Sequence, residues 1–256
     1  MKPFVDAITL LTIIPLPFGR GSDAPPSRFA PLLFPLVGLL IGLGAAGLFT
    51  LLYDLLPKNL AAALVITTLA IITGALHIDG LADFSDGAFG GRDAESRLRI
   101  MKQPDIGAFG VASIVLVLGL DWIALSTLDI NDIWILLSVT VMISRTAPLL
   151  IMLITSYVSP NGLGKNYVNL PKPALIAIIA TTLVVSAALA GGPTLSLAVA
   201  GFAAALIVGL LAKKRLGGSN GDVYGAGVEL AFAVCLVAAA GIVDAGAIIE
   251  PVWSGL

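Results

Sequence analysis

Apolar residues fill most of this chain in long unbroken blocks, and polar residues collect in a few intervals between them. Seven blocks lie at about 31–56, 60–76, 107–128, 133–157, 173–190, 194–212 and 226–249. Each approaches or exceeds the roughly 20 residues that cross a bilayer core. None alternates apolar and polar residues in the short segments of a β-barrel. The pattern predicts an all-α fold: a polytopic helical bundle of about seven transmembrane helices, in one membrane-embedded domain covering residues 1–256. A shorter apolar stretch, PFVDAITLLTIIPLPF, precedes them at 3–18. Pro15 and Pro17 stop a helix there before it spans, which predicts a re-entrant or interfacial segment. The longest polar interval is 77–106, and GGP at 191–193 makes a tight turn between the fifth and sixth spans.

Charge orients the array. Twelve Lys and Arg residues fall on one side: Lys2, Arg20, Arg28, Arg92, Arg97, Arg99, Lys102, Lys165, Lys172, Lys213, Lys214 and Arg215. Lys58 alone falls on the other, and Arg145 lies within the fourth span. The positive-inside bias therefore places the N-terminus and every substantial polar loop in the cytoplasm. The expectation is a multi-pass protein of the cell (inner) membrane whose site faces the cytoplasm. Composition agrees, with 58% apolar residues, 12% charged residues and a mean hydropathy of +1.03. A net charge of −2 with scattered basic residues gives no footprint for nucleic acid. Cys235 is a lone cysteine in an apolar run, so a disulfide framework within the chain is excluded and a buried filler is expected. Met1–Phe18 carries Asp6 and two prolines and lacks a compact h-region, so no cleavable signal is expected.

The chemistry concentrates in GALHIDGLADFSDGAFGGR at 74–92. On a helix, Asp83 and Asp86 fall at roughly +40° and −20° from Asp79, so the three carboxylates share one face. Like charges stacked this way repel, and a cation relieves the repulsion. Oxygen ligands alone suit Mg²⁺ or Mn²⁺, which keep waters and are often completed by substrate phosphates. Interleaved glycines, Gly80 and Gly87 among them, usually mark the close approach of a helix or ligand. His77, the only histidine, lies roughly 160° around the helix from Asp79. That offset suits a general base or a substrate hydrogen-bond partner better than a shared metal ligand.

Two further constellations bear on phosphate. Arg145, in VMISRTAPLL, lies deep in an apolar run, so it should face the interior and meet an acid or an anionic substrate. LGGSNGDVYGAGVEL at 216–230 is Gly-rich, follows Lys213, Lys214 and Arg215, and opens a helix whose positive dipole end suits an anion. Asn220 and Asp222 are its polar handles, and Asp222 and Glu229 are seven apart on one helix face. Arg92, Arg97, Arg99 and Lys102 add positive charge near the aspartates, and Asp93 and Arg97 have the spacing of a helix ion pair. This inventory fits metal-assisted phosphoryl or phosphodiester transfer, with direct attack by a substrate hydroxyl.

The HxDGxADxxDG pattern at 77–87, with RLRIMKQPDIGAFG at 97–110 and LGGSNGDVYGAGVEL at 216–230, resembles the cobalamin synthase (adenosylcobinamide-GDP ribazoletransferase) family. FVDAITLLTIIPLP at 4–17 and FPLVGLLIG at 34–42 extend the resemblance over essentially the whole chain. It implies a Mg²⁺-dependent membrane enzyme of vitamin B12 assembly. Such an enzyme joins adenosylcobinamide-GDP to α-ribazole or its 5′-phosphate, forms adenosylcobalamin or its 5′-phosphate, and releases GMP. On this resemblance Asp79, Asp83 and Asp86 carry the metal and the chemistry, with Asp83 nearest the reaction. His77, Arg92, Lys102, Arg145, Asn220 and Asp222 position the substrates. One departure stands out: where the family usually has Asp-Ser before Ile-Gly, this chain has Gln103 and Pro104, with an acid displaced to Asp105.

Two other protein classes share parts of this pattern. CDP-alcohol phosphotransferases also use an Asp-rich helix with Mg²⁺, but their Ala-Arg pair does not follow Asp79-Gly80 at the required spacing. A cation transporter would place its ligands near the midplane, often in paired repeats, whereas the second half of this chain has no matching Asp motif. Assembly into a homo-oligomer is left open by the sequence.

Overall fold

The computed structural model describes residues 2–16, 26–159, 163–167 and 170–246. The described residues form nine helices: α1 (Lys2–Leu11), α2 (Phe34–Tyr53), α3 (Lys58–Ile72), α4 (Leu76–Gly90), α5 (Ala94–Ile100), α6 (Ala108–Thr127), α7 (Ile133–Ile154), α8 (Lys172–Leu216) and α9 (Gly221–Asp244). The fold is all-α, with a single isolated β-bridge between Tyr157 and Ser219 among the described residues.

α7 is the axis of the bundle. From Leu136 to Leu149 every side chain is buried, and α2, α8 and α9 pack around it. Lipid tails are as apolar as leucine, so packing closeness drives helix association in a bilayer. Glycines supply it here. A methyl group on Gly42 of α2 would lie 2.6 Å from the Ser138 Cα of α7, and one on Gly38 would lie 2.8 Å from the Val141 carbonyl oxygen. Gly201 of α8 receives Cys235 of α9 and Ile143 of α7 in the same way. Cys235 is the buried filler its setting predicted, free and wholly enclosed.

The predicted fifth and sixth spans are recovered inside α8. Ala190 and Gly191 have non-helical dihedrals, with Gly191 at φ +63°. The Thr194 hydroxyl donates to the Ser186 carbonyl. Eight residues along a continuous helix would separate these groups by about 12 Å, so the chain turns back on itself at this break.

The predicted second span is corrected. It does not run on to residue 76; α3 stops at Ile72, and α4 leaves at an angle of 86°. Gly74, at φ +60°, is the cause. The Gly74 N–H bonds the Ile71 carbonyl at 2.9 Å and the Ala75 N–H bonds the Ala70 carbonyl at 2.8 Å, the Schellman closure of a helix end. Ala75 is also left-handed, at φ +54°, a conformation that costs a non-glycine residue about 1–2 kcal/mol. Five helices are long and apolar enough to cross a membrane, or six if the bent α3–α4 pair is one span. Dividing α8 at its break brings the total to the expected seven.

At the N-terminus α1 ends at Leu11, too short to cross, and residues 12–16 are non-helical. The Ile13 N–H bonds the Ile72 carbonyl at 2.8 Å, fixing this segment beside the α3–α4 break. α9 begins at Gly221 rather than near 226, and the predicted end of the last span, 247–249, lies outside the described residues.

The α2–α7 contact makes a matched test. Gly42→Ala should destabilise the protein by about 1–3 kcal/mol through overpacking against backbone. Gly44→Ala meets nothing within 4 Å, so it should be neutral or gain up to about 1 kcal/mol of helix propensity. Thermal unfolding in detergent would separate the two.

Candidate active site between α4 and α9

The three aspartates of α4 are not equivalent. Asp79 is exposed, Asp83 half-buried and Asp86 buried. Asp86 accepts the Gly107 N–H at 2.7 Å and the Gly110 N–H at 2.9 Å, one on each carboxylate oxygen. These are orphan donors of the first turn of α6, so the carboxylate caps that helix and complements its dipole. A Cβ on Gly107 or Gly110 would collide with the same carboxylate. Asp86 is thus engaged by the start of α6, whereas Asp79 and Asp83 line an open cavity. Among the described residues, no group of three or more His, Cys, Asp and Glu side chains is placed to hold a metal ion. Sharing a helix face aligned the three, but the arrival of α6 claimed the last.

The motif at the start of α9 supplies another acid. α4 and α9 cross at glycines: a Cβ on Gly80 would lie 2.9 Å from the Asp222 carbonyl oxygen, and one on Gly225 would lie 3.3 Å from the Gly80 Cα. Backbone therefore meets backbone, and Asp222 comes in beside the α4 acids. Charge repulsion couples Asp83 to Asp222, Asp79 and Asp86, and couples Asp222 to Asp79. Asn220 caps α9 by accepting the Val223 N–H at 3.0 Å and donates to Asp222 Oδ2 at 2.8 Å, fixing that carboxylate.

Two cavities flank this acidic ridge. One, of about 260 Å³, is lined by His77, Asp79, Asn220 and Asp222, and by Tyr157, Tyr167 and Tyr224. The other, of about 290 Å³, is lined by Asp79, Asp83, Lys102, Gln103 and Asp105. Asp79 lies on both. The displaced acid Asp105 thus reaches the cavity that holds Asp83, so the Gln103-Pro104 departure keeps a carboxylate there. Lys102, Asn220, Asp222 and His77 are all brought to the site. His77 is nearly enclosed, and its Nδ1 has no hydrogen-bond partner among the described residues.

Two residues expected to contact substrate lie outside both cavities. Arg92 is exposed and lines neither cavity; its carbonyl accepts the Arg97 guanidinium at 3.2 Å. Arg145 is 4% exposed and borders a separate, very small cavity with Asp121 of α6 and Glu229 of α9. Its guanidinium donates to the Ser144 hydroxyl at 3.0 Å, and Glu229 supplies counter-charge from a neighbouring helix. Glu229, expected on one face with Asp222, belongs to this interior group. Asp121 escaped the sequence reading, although an acid inside an apolar run is the signal that would have found it. Asp93, expected to pair with Arg97, instead caps α5: its side chain accepts the Ser96 N–H at 2.8 Å. That bond holds its carboxyl below the usual range.

Mg²⁺ commonly uses one or two carboxylates and completes its shell with water and substrate phosphate. Asp79 and Asp83, on one open cavity with hard oxygen donors and unrelieved mutual repulsion, fit that mode.

Fold and site together define a polytopic all-α membrane protein with an anionic, oxygen-rich cleft at the ends of its helices. The chain belongs to the cobalamin-5-phosphate synthase family, which it matches over residues 3–240. A Pseudomonas putida (strain KT2440) adenosylcobinamide-GDP ribazoletransferase is 40% identical over 233 residues, covering 90% of this chain and 95% of that protein. Proteins of the same name from Acinetobacter baumannii (36% identical, 90% and 93% covered) and Chlorobium phaeobacteroides (34%, 90% and 93%) are also similar. No solved structure matches the chain.

The capping geometry predicts how the aspartates separate. Asp86→Ala should lower stability by about 1–2 kcal/mol through loss of the α6 cap, read as a lower melting temperature in detergent. Asp83→Asn should melt with the wild type.

Proposed function

We propose that the chain catalyses the transfer that joins adenosylcobinamide-GDP to α-ribazole, or to α-ribazole 5′-phosphate. The products are adenosylcobalamin or its 5′-phosphate, and GMP. Membership of the family places the chain in cobalamin biosynthesis. The observation that carries the reaction is Asp79 on the boundary of two cavities of different character, as a two-substrate transfer requires.

A hydroxyl of the ribazole ribose attacks the phosphorus attached to cobinamide. A new oxygen–phosphorus bond forms as the bond to the GMP oxygen breaks. Because a 5′-phosphate on the acceptor survives in the product, the attacking group is a ring hydroxyl. Mg²⁺, held by Asp79 and Asp83, would neutralise the diphosphate and the leaving oxygen. Lys102 clamps phosphate from the other wall of the cavity. A carboxylate of the ridge accepts the hydroxyl proton, and Asp83, half-buried and next to both Asp79 and Asp222, is best placed for it. Asn220 holds Asp222 in register, and His77 supports the floor from beneath. The twelve-to-one distribution of Lys and Arg supports a site facing the cytoplasm of the cell membrane, where nucleotides are supplied.

The purified protein should release GMP from adenosylcobinamide-GDP only when both α-ribazole and Mg²⁺ are present, and EDTA should stop it. Asp83→Asn should reduce kcat by about 100-fold or more at unchanged melting temperature. Nucleotide analysis by chromatography reads both. GMP release without ribazole, or full activity of Asp83→Asn, would count against the assignment.

A further inference from the structure

We propose that the tyrosine-lined cavity binds the aromatic base of the acceptor nucleoside, with the donor diphosphate confined to the Lys102 side of Asp79. The inference rests on the transfer reaction above and assigns its two substrates to two walls. Charge separates the cavities first. The Lys102 cavity has three acids, Asp79, Asp83 and Asp105, but it alone of the two pairs a cation with carboxylates suited to a metal, which is the equipment a diphosphate needs. Among the described residues the other is lined by no Lys or Arg, and its acids are Asp79 and Asp222. Two carboxylates there oppose the attraction of the α9 N-terminus for an anion, whereas a hydroxyl-bearing sugar finds acceptors in Asp79, Asp222 and Asn220.

Aromatic chemistry separates them again. Tyr157 and Tyr224 form a stacked pair with ring centroids 6.4 Å apart at 30°. The pair is fixed in place. The Tyr224 hydroxyl accepts from Ser219 Oγ at 3.2 Å. Tyr157 is anchored by a two-bond bridge, in which the Val158 N–H meets the Ser219 carbonyl at 2.9 Å and the Ser219 N–H meets the Ser156 carbonyl at 2.8 Å. A methyl on Gly164 would lie 2.7 Å from the Tyr157 ring, which backs the ring from another side. Tyr167 completes the wall; it is 5% exposed, and its hydroxyl has no partner among the described residues. Preset aromatic faces with a spare polar atom suit a flat heteroaromatic base. At about 260 Å³ the cavity suits a nucleoside and is too small for a corrinoid ring. A base seated against the tyrosines places its ribose towards Asp79, where the other cavity begins.

Steady-state kinetics in both substrates test this, together with calorimetric titration of α-ribazole into protein lacking the donor. Tyr224→Ala and Tyr157→Ala should raise the KM for α-ribazole about tenfold and leave the KM for adenosylcobinamide-GDP within twofold. Tyr224→Phe, which keeps the ring and loses the hydroxyl, should retain near-wild-type KM. Lys102→Ala should show the opposite split. In calorimetry α-ribazole should bind wild type, and the two alanine variants should weaken it by a similar factor. A KM change confined to the donor, or unchanged α-ribazole binding in both alanine variants, would overturn the assignment. Wild-type protein that binds α-ribazole through these tyrosines but never releases GMP would instead overturn the reaction while leaving the nucleoside site standing.

Discussion

The contact on which this protein depends is the crossing of α4 and α9 at Gly80 and Gly225, where two helix backbones touch with no side chain between them. Nothing larger than hydrogen fits there without moving backbone. The crossing brings two motifs, more than 130 residues apart in sequence, into one ridge of acids. It also sets the ridge between two cavities, so that Asp79 faces both. Glycine serves here as the condition for assembling a site from separate segments.

The carboxylate ridge would be unfavourable if it were only structural. Asp79, Asp83 and Asp222 lie close enough to repel one another, and the nearby Lys102 is a single cation on one wall. Such clusters persist where a bound cation relieves them. Asp86 shows the other fate of a carboxylate on the same helix face. Two backbone N–H groups at the start of α6 satisfy it, and it ties α6 to α4 beneath the reactive acids. One four-turn helix thus carries both a structural acid and the reactive ones, distinguished by what packs against them.

A second group of charges lies in the interior. Arg145 on α7, Asp121 on α6 and Glu229 on α9 border a common small cavity, and each is buried. Three helices of the bundle thus each contribute one ionisable side chain to the same interior spot. Arg145 therefore lies in the bundle interior, outside the two cavities that flank the α4–α9 crossing.

Much of the fold was legible in the sequence because bilayer crossing imposes a length and a composition that any apolar run reveals. The seven runs, the non-crossing N-terminal segment and the turn at Gly191 all follow from local chemistry. The acidic stretch on α4 was legible too, since three aspartates at helical spacing stand out in so apolar a chain. Tertiary structure decided what a helical wheel cannot: which partner reaches each side chain. It turned Asp86 towards α6, set Arg145 beside a small interior cavity with Asp121 and Glu229, left Arg92 outside both cavities and brought Tyr157 against Tyr224. The physical reason is common to all four. Spacing along one helix fixes direction around its axis, whereas the contacts of a side chain depend on how closely other helices approach, and here glycines scattered through the chain set that distance.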